Sequence, residues 1–598
     1  MNAIVLAAGI GGRMRPLTDT THKSLLTVGD TTILGRIVDG LLAIDVRDIL
    51  VVTGYRDDQV RAWLHAHYPA VPFAFVHNAR YAETNNIVSL AMALEHAKLD
   101  EDVVLVECDV LFDPALLRRL VGPERGNVAL VDRYRPGMDG TVVAVEDGMV
   151  TQVFPPHLQG EDFDYRDKYK TLNVYRFEGG FCRTRFRPLL ACYADVVDSG
   201  AYYELVLGML VNMHRERVRA EIVDGERWTE VDDPNDLAGA RFVFEPARRL
   251  EILERAFGGH WNFDVLDFTF MRNMYYPTDA MMAAMRRALP ALARSYGSTQ
   301  RVLNEKLALA LRCAPARVQC LHGAAQLFPL LPELLPPGPA LLPAPTFGEF
   351  PRWFPGHATY GDAVGVDLAA LAARAADHAV VAVVNPNNPT GTTLSTAWLH
   401  ALAARHPATM FVVDESFVEF SGEIPLRRRL DEAPLPNVLV LASLSKSLGV
   451  PGLRLGYAYT GNPALCAAVG ARIPIWNLGA PAEFFLELLL KFQRELDESL
   501  AQTTADRAEL TERLAALPGI AAVHPSGGNF VLAALGGGEP GRARRLVERL
   551  LVHDGIYVKD VSAKLPDGGA FLRIAVRRPA ENARLVSALA ARLESGLA

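Results

Sequence analysis

The chain has 598 residues, half of them hydrophobic and 22% charged, with a formal net charge of −8. That length exceeds what one hydrophobic core supports, so at least two folding units are expected. The acidic balance disfavours a nucleic-acid partner, which needs clustered Lys and Arg, but not a nucleotide held locally.

The chain opens directly into an apolar strand, Ala3 to Ala8, with no basic segment and cleavage site before it. No apolar run reaches the roughly 18 residues of a membrane span. A cytoplasmic protein with no membrane partner is expected. Six cysteines are present, Cys108, Cys182, Cys192, Cys313, Cys320 and Cys466, and none has metal-ligand spacing. They read as buried or free thiols.

In residues 1–130, short apolar runs alternate with amphipathic stretches. Ile4–Ala8, Ile49–Thr53, Phe73–His77, Val103–Glu107 and Val128–Val131 are predicted strands, and Ile33–Leu42 and Asp58–His67 predicted helices. This alternation predicts an α/β fold with a mostly parallel sheet. Residues 139–177 look more like hairpins, with Asp147-Gly148 as a turn. A strand Trp228–Asp232 closes the first unit near residue 240. Residues 241–261 are expected to form a connecting helix. A second α/β pattern covers 262–598, with strands at Val380–Val384, Met410–Val413 and Val438–Leu441. A small final module from about residue 500 contains Asn529–Leu532 and Phe571–Ile574.

After the first strand the chain reads Leu6-Ala-Ala8-Gly9-Ile-Gly11-Gly12-Arg13, then Pro16-Leu-Thr18 and Lys23. Small residues let backbone N–H groups approach phosphates closely. Arg13 and Lys23 add cationic charge. Together these residues resemble the sugar-phosphate and choline-phosphate nucleotidyltransferases over roughly residues 1–240. The resemblance implies a Rossmann-like sheet and Mg²⁺-dependent transfer of a nucleotidyl group with release of pyrophosphate.

Asp109 follows the Val103–Glu107 strand, where parallel sheets place ligand groups. Asp232 lies at the Trp228–Asp232 strand. Two such carboxylates can hold Mg²⁺, and the family supports the pair; Asp233 or Glu230 could replace Asp232. The segment Thr84-Asn85-Asn86-Ile-Val-Ser89-Leu resembles that of cytidylyltransferases acting on phosphocholine and aminoalkyl phosphonates, which points to CTP. Its amides can bind a pyrimidine edge, and Thr84 or Asn85 can also cap a helix. Lys168 and Lys170 are candidate ligands of the acceptor phosphate, with solvated lysines the alternative.

Residues 262–598 resemble fold-type I aminotransferases of class I/II on several motifs. Ser443-Leu-Ser445-Lys446 and Arg454 stand within one segment. The resemblance implies that Lys446 forms the Schiff base with pyridoxal phosphate. Ser443, Ser445, Arg454 and the turn Gly323-Ala324-Ala325, read as a helix start, would bind the cofactor phosphate. Asp414 would pair with the pyridine nitrogen, Asn388 with the ring oxygen, and Phe347 would stack on the ring. Arg573 would grip the substrate carboxylate.

Histidinol-phosphate aminotransferases read Asp-Glu-Ala-Tyr where this chain reads Asp414-Glu-Ser-Phe417. The phenylalanine resembles threonine-phosphate decarboxylase. Decarboxylation is therefore expected, with transamination as the alternative. The two halves resemble the fused enzymes of phosphonate antibiotic biosynthesis, which make a CMP-aminoalkylphosphonate. The substrate would be a small amino acid or amine with a phosphonate or phosphate tail, a phosphoserine-to-CDP-ethanolamine route being a variant. A non-catalytic half is disfavoured by Lys23, Asp109, Lys446 and Asp414. The resemblance also implies a homodimer through the second domain, with Tyr275 and Tyr276 near the boundary or buried in the core.

Overall fold

The computed structural model describes all residues except 123–125, 214–215, 364, 538, 540, 566–567 and 595–598. The chain divides into two compact units, Met1–Phe263 and Asp264–Ala598. Among the described residues, no helix is long and apolar enough to cross a membrane.

The first unit is built on a nine-stranded sheet. Its order is Ala74–His77, Ile49–Thr53, Asn2–Ala7, Val103–Glu107, Tyr169–Phe177, Asn127–Arg133, Val218–Ile222, Met149–Phe154 and Val142–Glu146. The first four run parallel. Alternate residues of the first strand divide between two cores: Ile4 and Leu6 in one, Ala3, Val5 and Ala7 in the other. A strand buried on both faces reads as a continuous apolar run, which is why these strands are visible in sequence.

The sheet is more mixed than expected. Tyr169–Phe177 runs antiparallel to both Val103–Glu107 and Asn127–Arg133. Its register shifts between Thr171 and Tyr175, and Asn173 adopts a positive φ of 57°. The stretch expected as one connecting helix is broken. A helix Pro234–Phe244 ends before Pro246, and a second helix spans Arg249–Ala256. Proline at 246 lacks the N–H that a continuing helix requires. Both helices belong to the first unit.

The second unit contains a seven-stranded sheet. Its order is Val318–His322, Leu455–Thr460, Val438–Ser443, Met410–Asp414, Val380–Val384, Ala340–Ala344 and Ala358–Gly361. Only Leu455–Thr460 opposes its neighbours. The final module is a four-stranded antiparallel sheet of Ile520–His524, Phe530–Leu535, Ala570–Ala575 and Lys559–Asp560.

Candidate active sites

In the first unit, the loop after Asn2–Ala7 turns at Gly11, which adopts φ +62°. A Cβ there would lie 3.2 Å from Lys23 Cβ and from Thr18 Cγ2, so the turn needs glycine on both counts. Thr18 Oγ1 donates to Gly11 O over 2.9 Å, which ties the loop to the following turn. Gly9 and Gly12 have nothing within 4 Å of an added Cβ. Their backbone is therefore open to a ligand.

The loop borders a cavity of about 520 Å³. Leu6, Ala8, Gly9, Gly11, Gly12, Arg13 and Lys23 line it, as do Thr84, Asn85, Asn86, Asp109 and Asp232. Lys23 Nζ donates to Asp232 Oδ1 at 2.6 Å and to Asp109 Oδ2 at 3.1 Å. Burial opposes the Lys23 charge, but the two carboxylates more than offset it and raise its pKa. Arg13 reaches the other oxygen of Asp232, with Nη2 to Oδ2 at 2.9 Å. Burial works against ionisation of Asp232, and Lys23 and Arg13 reverse that and lower its pKa.

Asp232 lies just beyond the short strand Trp228–Glu230 rather than at its end. Asp233 is occupied differently: its side chain caps the helix Pro234–Phe244 in a reciprocal box with Asp236. Glu230 pairs with the buried Lys170, at 3.2 Å. Burial pushes the Glu230 carboxyl up to about 7. Lys170 Nζ also donates to Thr171 O at 2.7 Å, while Lys168 pairs with Asp167 at 2.6 Å. Neither lysine lines the cavity.

Thr84, Asn85 and Asn86 line the cavity, yet their side chains hold protein groups. Thr84 Oγ1 donates to Arg80 O, Asn85 Oδ1 caps the helix Asn86–His96, and Asn86 Oδ1 accepts from Tyr203 N. Sequence reasoning missed Glu107, Tyr203 and Glu204. Glu107 Oε1 accepts from the Tyr203 hydroxyl at 2.9 Å and from Asn86 Nδ2 at 3.3 Å. Burial, then Asp109 and Glu204, hold the Glu107 carboxyl well above the usual range. The available signal was one carboxylate closing an otherwise apolar strand.

In the second unit, Lys446 follows the Val438–Ser443 strand in a short helix, Leu444–Ser447. Burial, then Arg573 and Arg454, bring its pKa down to about 8. Asp414 ends the Met410–Asp414 strand, and its Oδ1 accepts from Ser416 N at 2.9 Å and Ser416 Oγ at 2.6 Å. Burial raises the Asp414 pKa, against Ser416 and Lys446.

Arg573 Nη1 donates to Asn388 Oδ1 and Nη2 to Thr269 O, each at 2.7 Å. Burial lowers its pKa to about 10. Phe347 packs edge-on against Phe328 at 5.8 Å. Ala324 and Ala325 lie in a single 3₁₀ turn, Ala324–Gln326, rather than at a helix start. Phe417 is buried against Phe530 at 5.2 Å, in an apolar cluster with Met271 and Ala575.

The segment before the first helix of this unit carried no motif, yet it touches the site. Asn273 N donates to Lys446 O at 2.8 Å, and Thr269 O holds Arg573. Tyr275 donates to Asp506 at 2.6 Å, and Tyr276 is buried in the main core.

These residues fit pyridoxal phosphate. Ser445 Oγ is buried without a hydrogen-bond partner. A Cβ at Gly323 would come within 2.5 Å of Arg454 Nη2, so glycine leaves room for a cationic cradle. A desolvated lysine lies within the electrostatic reach of a carboxylate and two guanidinium groups, the groups that an aldehyde, a ring nitrogen and a phosphate require.

Residues 261–589 match the sequence profile of aminotransferase class I and II. The chain belongs to the aminotransferase class I and II family. This class I and II aminotransferase chain also matches, over residues 3–165, the MobA-like NTP transferase domain. It is an enzyme of both classes, combining a nucleotidyltransferase domain with a pyridoxal-phosphate domain.

It is 35% identical to CMP-5'-(3-aminopropyl)phosphonate synthase of Streptomyces rubellomurinus, over 99% of this chain and 95% of that one. It is 29% identical to L-serine phosphate decarboxylase of Sulfurospirillum multivorans, over 49% of this chain and 78% of that one. The structure of L-threonine-O-3-phosphate decarboxylase from Porphyromonas gingivalis matches with a TM-score of 0.50 at 24% identity, covering 55% of this chain and 100% of that one. That likeness concerns the fold.

Proposed function

We propose that the first unit transfers CMP from CTP to the phosphonate or phosphate tail of a small amine or amino acid, and that the second decarboxylates that amino acid. The observation that carries this reading is the coexistence of two polar sites on one chain, Lys23 with Asp109 and Asp232, and Lys446 with Asp414, Arg454 and Arg573. Full-length similarity to a CMP-aminopropylphosphonate synthase supports it.

In the first unit, the amides of Gly9–Gly12 and the charges of Arg13 and Lys23 bind the triphosphate. Asp109 and Asp232 would hold Mg²⁺, which when bound would neutralise charge on the phosphoryl group. Asp109 Oδ1 is buried without a partner, which suits a ligand atom. The Thr84–Asn86 backbone lies against the nucleoside. Lys170 acts through Glu230 rather than on the acceptor, and Lys168 stays with Asp167.

In the second unit, bound pyridoxal phosphate would supply the electron sink for cleavage at the amino acid's α-carbon. Lys446 provides the amine that holds the aldehyde. Asp414 would pair with the ring nitrogen, Asn388 with the ring oxygen, and Phe347 would stack on the ring. Ser443, Ser445, Arg454 and the amides of Ala324 and Ala325 bind the phosphate. Arg573 grips the carboxylate. Phe417 puts an apolar ring where aminotransferases carry a tyrosine hydroxyl, which favours decarboxylation.

We also propose a homodimer through this unit. Tyr296 and Trp476 stack at 4.4 Å on its surface beside exposed Ile475, an apolar patch of the kind that marks an interface.

The test is product mass. Incubation with CTP, Mg²⁺ and phosphono-amino acids should yield pyrophosphate, CO₂ and a CMP-aminoalkylphosphonate. A clear preference for ATP or GTP, or retention of the carboxylate in every product, would overturn the reading. Light scattering should report twice the chain mass; a monomer with bound cofactor would exclude the dimer.

A further inference from the structure

The strand Val103–Glu107 is apolar for four residues and ends on a carboxylate. That carboxylate has no role in the chemistry described above. Its Oε1 is fixed by Tyr203 and Asn86, and its Oε2 carries no protein hydrogen bond. Glu107 lines the same cavity as Asp109, two residues further on. Behind it stands Glu204, 4% exposed, whose Oε2 is buried without a hydrogen-bond partner. Among the described residues, neither glutamate has a salt bridge. Lys23 is taken by Asp109 and Asp232, and Lys170 by Glu230.

Two buried carboxylates without a cation are costly. A carboxyl can relieve that cost by keeping its proton, and a cationic ligand group relieves it by pairing with the carboxylate. The cavity's lining comes from several neighbouring strands of the sheet. The glycine loop follows Asn2–Ala7, and Asn78, Tyr81 and Thr84 follow Ala74–His77; this is the donor side. Glu107 ends the neighbouring strand on the other side of Asn2–Ala7, where it meets Asn86 at the end of the donor-side segment, and Tyr202 lines the same cavity. Asp109 and Asp232 lie with it.

We infer that Glu107, backed by Glu204, is the subsite for the ammonium group of the nucleotidyl acceptor and selects amine-bearing phosphonates over neutral ones. The inference rests on the CMP transfer proposed above. With the phosphorus tail at the Asp109–Asp232 centre, a short alkyl chain carries the ammonium towards Glu107. An ammonium offers three donors to the free glutamate oxygen and its surroundings. A neutral tail of the same length leaves the carboxylates unbalanced, which is discrimination by an unsatisfied group.

The test compares two acceptors, 3-aminopropylphosphonate and propylphosphonate, in the full-length protein with CTP and Mg²⁺. Wild type should favour the amine. Glu107→Gln should lower kcat/KM for the amine by roughly 10- to 100-fold and narrow the preference between acceptors. Tyr203→Phe, which removes only the hydroxyl that orients Glu107, should move the preference the same way by less. CTP affinity, read by calorimetric titration, reports whether each variant keeps its fold; if Glu107→Gln fails to bind CTP, Tyr203→Phe decides. Equal losses on both acceptors, or a wild type that does not discriminate, would overturn the subsite while leaving CMP transfer intact. Absence of pyrophosphate release with any phosphonate would instead overturn the transfer reading itself.

Discussion

Arg573 Nη1 donates to Asn388 Oδ1 over 2.7 Å, and the bond joins the small antiparallel module to the loop after the Val380–Val384 strand of the large sheet. A guanidinium held this way has its fork oriented before substrate arrives. Arg573→Lys keeps a cation but loses the planar fork. The KM for the amino acid should rise by roughly 10- to 100-fold, with the visible absorbance of bound cofactor retained. Unchanged KM would remove Arg573 from the substrate site.

Lys446→Ala should abolish that absorbance and amino-acid turnover while leaving pyrophosphate release near wild type. The two sets of residues lie in separate units. Substantial turnover by this variant would refute the assignment of Lys446.

The lysine pKa of about 8 sets a pH dependence. Only the neutral amine attacks the cofactor aldehyde. Burial and the neighbouring arginines lower the folded-state pKa, so the protonated form dominates below about 8. The rate of cofactor capture by apoenzyme should fall about tenfold for each pH unit below that value and level off above it. Stopped-flow absorbance measures it, and a rate that keeps rising about tenfold per pH unit from pH 8 to 10 would contradict the lowered pKa.

Asp109→Asn should cut nucleotidyl transfer by roughly two to three orders of magnitude and spare the second unit. Pyrophosphate release measures the first, cofactor absorbance the second. Near-normal release would show that Asp109 does not hold the metal.

Reaction type is separable by stoichiometry. A decarboxylase should release CO₂ from a phosphono- or phospho-amino acid over many turnovers without a keto acid. Loss of the cofactor's visible band in a single turnover, reversed only by a keto acid, would make it an aminotransferase despite Phe417.

Gly449 has φ +66°, and an added Cβ would lie 1.9 Å from Tyr276 O. Gly449→Ala should destabilise the second unit by about 3 kcal/mol, read from the urea midpoint. Because the same segment holds Lys446 through Asn273, cofactor affinity should fall with it. An unchanged midpoint would mean the backbone relaxes freely there.

The strands buried on both faces were legible because nothing but continuous apolar residues fits between two helical layers. Tyr169–Phe177 was not, because Lys170, Thr171 and Asn173 interrupt its apolar pattern for the sake of Glu230 and the bulge. Motif residues such as Gly11, Lys23, Ser445 and Lys446 were legible since their neighbours in sequence are also their neighbours in space. Glu107 and Glu204 are single residues in apolar runs, joined only by folding. In sequence, Asn85 and Asn86 read as binders of a pyrimidine edge, with a helix cap at Thr84 or Asn85 as the alternative; the links of Asn85 to Gly200 and of Asn86 to Tyr203, more than a hundred residues away, were not legible.

Lys23 has one further consequence. Its ammonium sits between Asp109 and Asp232, where a divalent ion would otherwise be the counter-charge. Chelating agents should silence nucleotidyl transfer without unfolding the domain, because Lys23 already balances part of the charge of the two carboxylates.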